Sequence, residues 1–381
     1  MKFIHLSDLH IGKQVNGKSM YDDQRFILKK ILGLVQSHKP DAVFIAGDIY
    51  DKSVPSAEAV QLCDEFLSDL SNVLPNNAKL FVSSGNHDSA ERIAFGSAIM
   101  SRCGVYVSPV FQGEVSPVVM HDEFGEVVVY MLPFVKPAQV RHCFPEEQIE
   151  SYTDCVRVAI EKMKVDKTRR NVILSHQFVT GAERSDSEET SVGGVDNVDV
   201  SVYDDFDYVA LGHLHRPQSC VRETVRYSGS PLKYSFSEVN NEKSVTIVEL
   251  GAKGDVKLSF EPLIPLHDWH DIRGAYDEVT AKSFYDGTNL QEDFVRITLI
   301  DEDDIPDAIG KLRTIYHNLL ELRYDNKRTR SVGSCLQNTQ VVESKTPGEL
   351  FSEFFEQQYR QPLTEEQTSF VEGLIEKIWE E

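Results

Sequence analysis

At 381 residues the chain is too long for one ordinary domain and suggests two or three. Its 41% hydrophobic and 26% charged residues exclude a disordered or fibrous chain. A formal net charge of −22 excludes general attraction to nucleic acid or anionic membranes, so phosphate ligands must be met by local cations, bound metal or a partner.

The first third alternates short apolar runs with helical stripes. Phe3–Leu6 reads as a buried strand, Tyr21–Val35 as a helix, Ala42–Ala46 as a strand, Ala59–Leu70 as a helix and Lys79–Val82 as a strand. This spacing implies parallel strands with crossover helices. The middle is richer in strands, at Val127–Leu132, Val172–Leu174, Tyr208–Leu211, Val225–Tyr227, Ser244–Leu250 and Val256–Phe260, with one helix at Glu147–Met163. The expectation is a layered sheet sandwich flanked by helices and ending near Pro265. A small α/β module follows, with strands at Trp269–Ile272, Phe294–Ile300 and Leu319–Tyr324. Between the last two, a helix starts at Asp304 and Pro306 with Ile305, Ile309, Leu312 and Tyr316 as its stripe. Thr346 to Glu349 and Thr364 to Gln367 are capping boxes opening two acidic helices. Their apolar stripes are Leu350, Phe351, Phe354 and Phe355, then Phe370, Val371, Leu374, Ile375 and Ile378. These faces either pack on the chain's own core or need a partner. The stretch Glu183–Asp199 reads as a mobile polar loop.

No run approaches the roughly 20 apolar residues of a membrane span, and Lys2 and His5 interrupt the N-terminus too early for a signal-peptide core. Cys63, Cys103, Cys143, Cys155, Cys220 and Cys335 form no C-x-x-C pair and read as reduced thiols. The expectation is a cytoplasmic protein.

Five segments carry chemistry: Asp8-Leu9-His10, Gly47-Asp48-Ile49-Tyr50-Asp51, Gly85-Asn86-His87-Asp88, Ser175-His176 and Gly212-His213-Leu214-His215. Each follows a predicted strand, and the C-terminal strand ends of an open α/β sheet share one edge. Asp8, His10, Asp48, Asn86, His176, His213 and His215 then give seven N/O ligands, too many for one ion and enough for two sharing a carboxylate. Such ligands suit Mn²⁺, Fe²⁺ or Mg²⁺ more than structural Zn²⁺. His87, next to a ligand, is placed either as general acid to a leaving alkoxide or as one more ligand. The other seven histidines receive no role.

Together these segments resemble the calcineurin-like metallophosphoesterase superfamily. With His5-Leu6-Ser7-Asp8-Leu9-His10-Ile11-Gly12, Gly212-His213-Leu214-His215-Arg216-Pro217 and Tyr227-Ser228-Gly229-Ser230-Pro231, they are similar to its SbcD branch of nuclease subunits. The resemblance implies a four-layer α/β/β/α sandwich over 1–265, a small α/β capping domain over 266–335, and C-terminal helices over 340–381 that dock on an ATPase partner. It implies an Mn²⁺-dependent DNA exonuclease and endonuclease, with two Mn²⁺ (Mg²⁺ as the alternative). It further implies processing of DNA ends and hairpins in repair and recombination with a coiled-coil SbcC-type ATPase, as a homodimer within a heterotetramer. By position, one ion takes Asp8, His10, Asp48 and His215, the other Asp48, Asn86, His176 and His213, and His87 matches the catalytic histidine. Relatives outside bacteria carry a histidine where this chain has Asp51, so a catalytic histidine pair does not carry over; Asp51 either orients a neighbour or caps a turn. Lys13, Lys52, Arg92, Lys136 and Arg216, and the cluster Arg323, Lys327, Arg328 and Arg330, are candidate phosphate contacts or plain surface charges. The competing readings are a phosphodiesterase for a small nucleotide or nucleotide-lipid, and a metal-free scaffold, which would tolerate lost ligands.

Overall fold

The computed structural model describes residues 1–108, 110–188, 196–327, 329, 346–359 and 362–380. Arg328, Arg330, Cys335, residues 189–195 of the polar loop and the side chain of Ile378 lie outside the described residues. Strands run in the order β1 (Lys2–Leu6), β2 (Gln14–Val15), β3 (Lys18–Ser19), β4 (Ala42–Ala46), β5 (Lys79–Ser83), β6 (Val105–Val107), β7 (Val118–Asp122), β8 (Gly125–Leu132) and β9 (Arg170–His176). They continue with β10 (Tyr208–Gly212), β11 (Gln218–Cys220), β12 (Arg222–Tyr227), β13 (Ser244–Leu250), β14 (Val256–Pro262), β15 (Trp269–Gly274), β16 (Phe294–Leu299) and β17 (Leu319–Tyr324).

Two six-stranded sheets form the sandwich, ordered β14-β13-β1-β4-β5-β6 and β11-β12-β10-β9-β8-β7. In the first, β1, β4, β5 and β6 are parallel; in the second, β8, β9, β10 and β12 are parallel. Strand residues alternate between faces. Phe3 and Phe44 face the second sheet, meeting Val172, Leu174, Tyr208 and Ala210. Ile4, Leu6, Val43 and Ile45 face the other way, onto Ile27 and Ile31 of helix Tyr21–His38 and Phe66 of helix Ala57–Val73. Ile173, Val209 and Leu211 pack against Val156 and Ile160 of helix Tyr152–Met163. The layers are therefore helix, sheet, sheet, helix. Both faces of the central strands are covered, which is why these strands are apolar almost without interruption. Parallel β15, β16 and β17 form a third sheet with its own core of Val295, Ile297, Leu312 and Tyr316.

Three local differences from the sequence reading have physical causes. The middle helix starts at Tyr152, not Glu147, because Ser151 and Asp154 form a reciprocal capping box. The helix expected from Asp304 covers only Ala308–Arg313. Pro306 disfavours helical geometry at Ile305, and Asp307 sits in the left-handed region at φ 51°. Short edge strands β6, β7 and β11 and the β2–β3 ribbon carried too little apolar signal to read. Both C-terminal capping boxes are present, with Thr346 and Glu349, then Thr364 and Gln367, bonding reciprocally. These two helices pack on each other. Among the described residues no helix is long and apolar enough to cross a membrane.

Candidate metal centre

Adjacent strands β1, β4 and β5 of the first sheet and β9 and β10 of the second end at the same edge. The loops that leave them are cross-tied. Asp8 N–H donates to the Gly47 carbonyl at 3.1 Å and His10 N–H to the Asp48 carbonyl at 3.0 Å. Asp88 receives the N–H groups of Ile49, Tyr50 and Gly85 at 3.1, 3.0 and 2.9 Å, locking the second loop to the third. A Cβ on Gly85 would lie 2.1 Å from Asp48 Oδ1, and one on Gly212 1.8 Å from the Ala46 carbonyl oxygen. Those glycines let backbone and donor atoms converge. Asp8, His10, Asp48 and His213 adopt φ of 53°, 45°, 49° and 104°. Left-handed backbone at a non-glycine residue costs on the order of 1–3 kcal/mol, so four such donor positions mark stored strain at the site.

The structure brings the seven expected ligand residues together. Asn86 Oδ1 lies 3.1 Å from His176 Nε2 and 2.9 Å from His213 Nδ1. Asp48 Oδ2 lies 3.3 Å from His176 Nε2 and 3.6 Å from His10 Nε2. His10 Nε2 and His215 Nε2 are 3.0 Å apart. Asp8 accepts from His213 N–H through Oδ1 at 2.9 Å. Among the described residues, three clusters could hold a metal: Asp8, His10 and His215; Asp8, Asp48 and His176; and His10, Asp48 and His87. The last includes the residue read as an acid.

Electrostatics point the same way. Burial pushes Asp8 up to about 6, with His176 and His215 opposing. Burial works against the charge of Asp48 too, yet His176 and His10 hold its carboxyl well below the usual range. His176, although buried, is raised to about 9 by Asp48, whereas burial and His176 press His213 down to about 3. Asp8 Oδ2 and His10 Nδ1 are buried without a hydrogen-bond partner. A buried orphan carboxylate oxygen facing imidazole nitrogens is costly unless a cation lies among them. The carboxylate, amide and imidazole donor set therefore fits divalent ions.

His176 Nδ1 donates to the Ala46 carbonyl at 2.8 Å, which turns Nε2 toward Asp48 and Asn86. His87 N–H donates to Asp48 Oδ1 at 2.9 Å and its Nδ1 to the Asp51 carbonyl at 3.0 Å, which leaves Nε2 for other use. The Asp51 side chain does not cap a turn. It pairs with Lys13 at 2.7 Å and stands 3.8 Å from His10 Nδ1. Arg216 pairs with Glu183 and Arg92 bonds the Ser53 carbonyl, so these candidate phosphate contacts are engaged within the chain.

The sequence reading missed the residues behind the ligands. Gln24 binds the His10 carbonyl at 2.7 Å and the Gly12 N–H at 3.0 Å. Tyr234 donates to the Leu9 carbonyl at 2.7 Å. The polar loop, expected to be mobile, sends Ser187 to His215 Nδ1 at 2.7 Å and Glu188 to the His215 N–H at 2.6 Å. Only a polar Gln in an otherwise apolar helix face could have hinted at Gln24.

Residues 1–217 match the family model described as calcineurin-like phosphoesterase. Residues 265–359 match an SbcD-type model described as a type 5 capsule protein repressor C-terminal domain. The chain is 31% identical over 383 residues to the SbcD subunit of the nuclease SbcCD from Staphylococcus epidermidis, with 99% of each chain covered. A solved dimetal phosphatase from Danio rerio superposes with a TM-score of 0.42 at 10% identity, over 69% of this chain and 96% of that one. A family match over more than half its length, together with a relative alignable from end to end, makes this chain a member of the calcineurin-like phosphoesterase family, in its SbcD branch.

Proposed function

We propose that this chain is the nuclease subunit of an SbcCD-type complex, a divalent-metal-dependent phosphodiesterase cutting DNA as exonuclease and endonuclease at ends and hairpins in repair and recombination. The observation that carries the reading is the buried, partnerless Asp8 Oδ2 among lone-pair donors from five strand ends, beside a relative of matching length. Asp8, His10, Asp48 and His215 would hold one ion, and Asp48, Asn86, His176 and His213 the other. When bound, two Mn²⁺, or Mg²⁺ in their place, would supply Lewis-acid polarisation of the phosphoryl group and a more acidic water. The protein's own contribution is orientation and one proton. With Nδ1 bound to the Asp51 carbonyl, protonated His87 holds its transferable proton on Nε2, for the departing alkoxide. Such a general acid contributes roughly 10²–10⁴-fold.

The reading divides the chain into a nuclease domain over 1–265, a capping domain over 266–335 and docking helices over 340–381. Phe351, Phe355, Val371 and Leu374 line an apolar groove on the last of these, suited to a helical surface of an SbcC-type ATPase. Phe95 and Ile99, 87% and 72% exposed just beyond the His87 loop, are the kind of apolar pair that a homodimer within a heterotetramer would cover. A cytoplasmic setting agrees with the described cysteines, all unpaired. The test is cleavage of a hairpin DNA with blocked ends, in Mn²⁺, with and without the ATPase. Metal-dependent release of nucleotides is expected. Hydrolysis of a small phosphodiester with no cut in DNA would favour the small-substrate reading instead.

A further inference from the structure

Behind His215 lies a polar chain, buried at Glu238 and Lys243 and half-buried at Ser187, that includes none of the proposed ligands but His215 itself. The Ser187 hydroxyl donates to Glu238 Oε1 at 2.6 Å, so its lone pairs face His215 Nδ1, 2.7 Å away. A lone pair there requires the proton on Nδ1 and leaves the lone pair on Nε2. Glu238 is fully buried. Its Oε2 accepts from Lys243 Nζ at 2.5 Å. Lys243 also donates to the His215 carbonyl at 2.7 Å and to Ser230 Oγ at 2.9 Å. His215 is thus gripped at its backbone by Lys243 and at its ring by Ser187, and both lead to the same carboxylate.

We propose that Glu238, acting through Ser187, is a positioning residue for His215, fixing its tautomer so that Nε2 offers a lone pair toward Asp8 and His10. The inference rests on the proposed metal centre. A Glu238–Lys243 pair serving stability alone would have no need of a hydroxyl inserted between carboxylate and imidazole. The Nε2 atoms of His215 and His10, 3.0 Å apart, can both present lone pairs only with a proton or cation between them. Carboxylates and hydroxyls behind metal-binding histidines raise ligand basicity and hold ring orientation, and their loss weakens metal binding about 10- to 100-fold. Because His215 belongs to one ion's set alone, the loss should fall on that ion.

The test is calorimetric titration of Mn²⁺ into the full-length chain, with the melting temperature of the metal-free protein recorded beside it. Ser187→Ala removes the link while Glu238 keeps Lys243, so no buried charge is stranded. Wild type should bind two ions. Ser187→Ala should weaken one of them about 10- to 100-fold, leave the other unchanged and melt like wild type. Ser187→Thr, which keeps the hydroxyl, should restore the affinity. Glu238→Gln should weaken the same ion. A Ser187→Ala chain that binds both ions as wild type does, or loses both alike, overturns the relay while leaving the metal centre standing. A wild-type chain that binds no ion overturns the metal centre, and the relay falls with it.

Discussion

The metal centre and the C-terminal helices present organised surfaces by opposite means. At the centre, Asp8, His10 and His176 are fully buried, and each loop is tied from behind by Asp88, Gln24, Tyr234 or Lys243. In the helices Pro347–Tyr359 and Glu365–Glu380, Phe354 and Phe370 are 58% and 67% exposed. The first region is preorganised by its own chain, which lets it tolerate four left-handed donor residues. The second has its caps and stripes, but its Phe354 and Phe370 stand exposed among the described residues, and helices of this length are marginal alone. Strain collects where the fold can hold it, and exposed apolar surface is where the proposed partner would dock.

The contrast can be broken at the centre first. Asp48→Ala removes the carboxylate that faces His10 and His176, and cleavage should drop to background with most bound Mn²⁺ lost; two ions retained in a metal titration would end the bridging assignment. His87→Leu should lower kcat by roughly 10²–10⁴-fold with both ions still bound. Loss of metal in proportion to activity would make His87 a ligand, as its cluster with His10 and Asp48 allows. Gly212→Ala drives a Cβ to 1.8 Å from the Ala46 carbonyl, and chemical denaturation should register about 3 kcal/mol or more of lost stability; unchanged stability would mean the sheets part easily there.

The tail sharpens the contrast from the other side. Phe370→Asp should leave metal-dependent cleavage and the melting temperature of the nuclease domain alone, since substitution of a largely exposed side chain usually changes stability by about 0.5 kcal/mol or less. Association with the ATPase should weaken about 30-fold, as loss of a ~2 kcal/mol hot spot would. Removal of the chain beyond Asn338 should abolish it; aggregation of that shortened chain would indicate packing on its own core.

A pH-dependent effect concerns His5, at the rear of the centre, whose ring bonds Tyr208 Oη at 2.9 Å and the Leu211 carbonyl at 3.2 Å. Burial presses it down to about 3. The unfolded chain takes up this proton near pH 6.5 and the folded chain does not. The stability it confers is therefore complete above about pH 6.5 and declines by about 1.4 kcal/mol per unit as the pH falls toward 3. Urea unfolding of His5→Gln between pH 4 and 7 should show a shallower dependence than wild type; parallel curves would contradict this.

Much of the centre was legible because its signals are local. Each of the five segments directly follows an apolar strand, and strand ends of an α/β sheet share an edge. The support was not legible. Glu238 and Lys243 stand 23 and 28 residues beyond His215, and Ser187 stands 28 before it, with no periodicity or spacing to connect them. Tertiary folding alone joins them. In the fold, β1, β4 and β9 were readable from continuous apolar runs, whereas β11, Gln218–Cys220, is three residues with one buried. The helix after Pro306 began late because a left-handed Asp307 outweighed the apolar stripe.

The proposed chemistry stands on two metal ions held by five strand ends and sharing Asp48. Titration of Mn²⁺ into the full-length chain, followed by anomalous diffraction from the loaded protein, is the decisive measurement. Two ions per chain, with Asp48 in contact with both, are expected. One ion, or two without a common Asp48 contact, would refute the shared site.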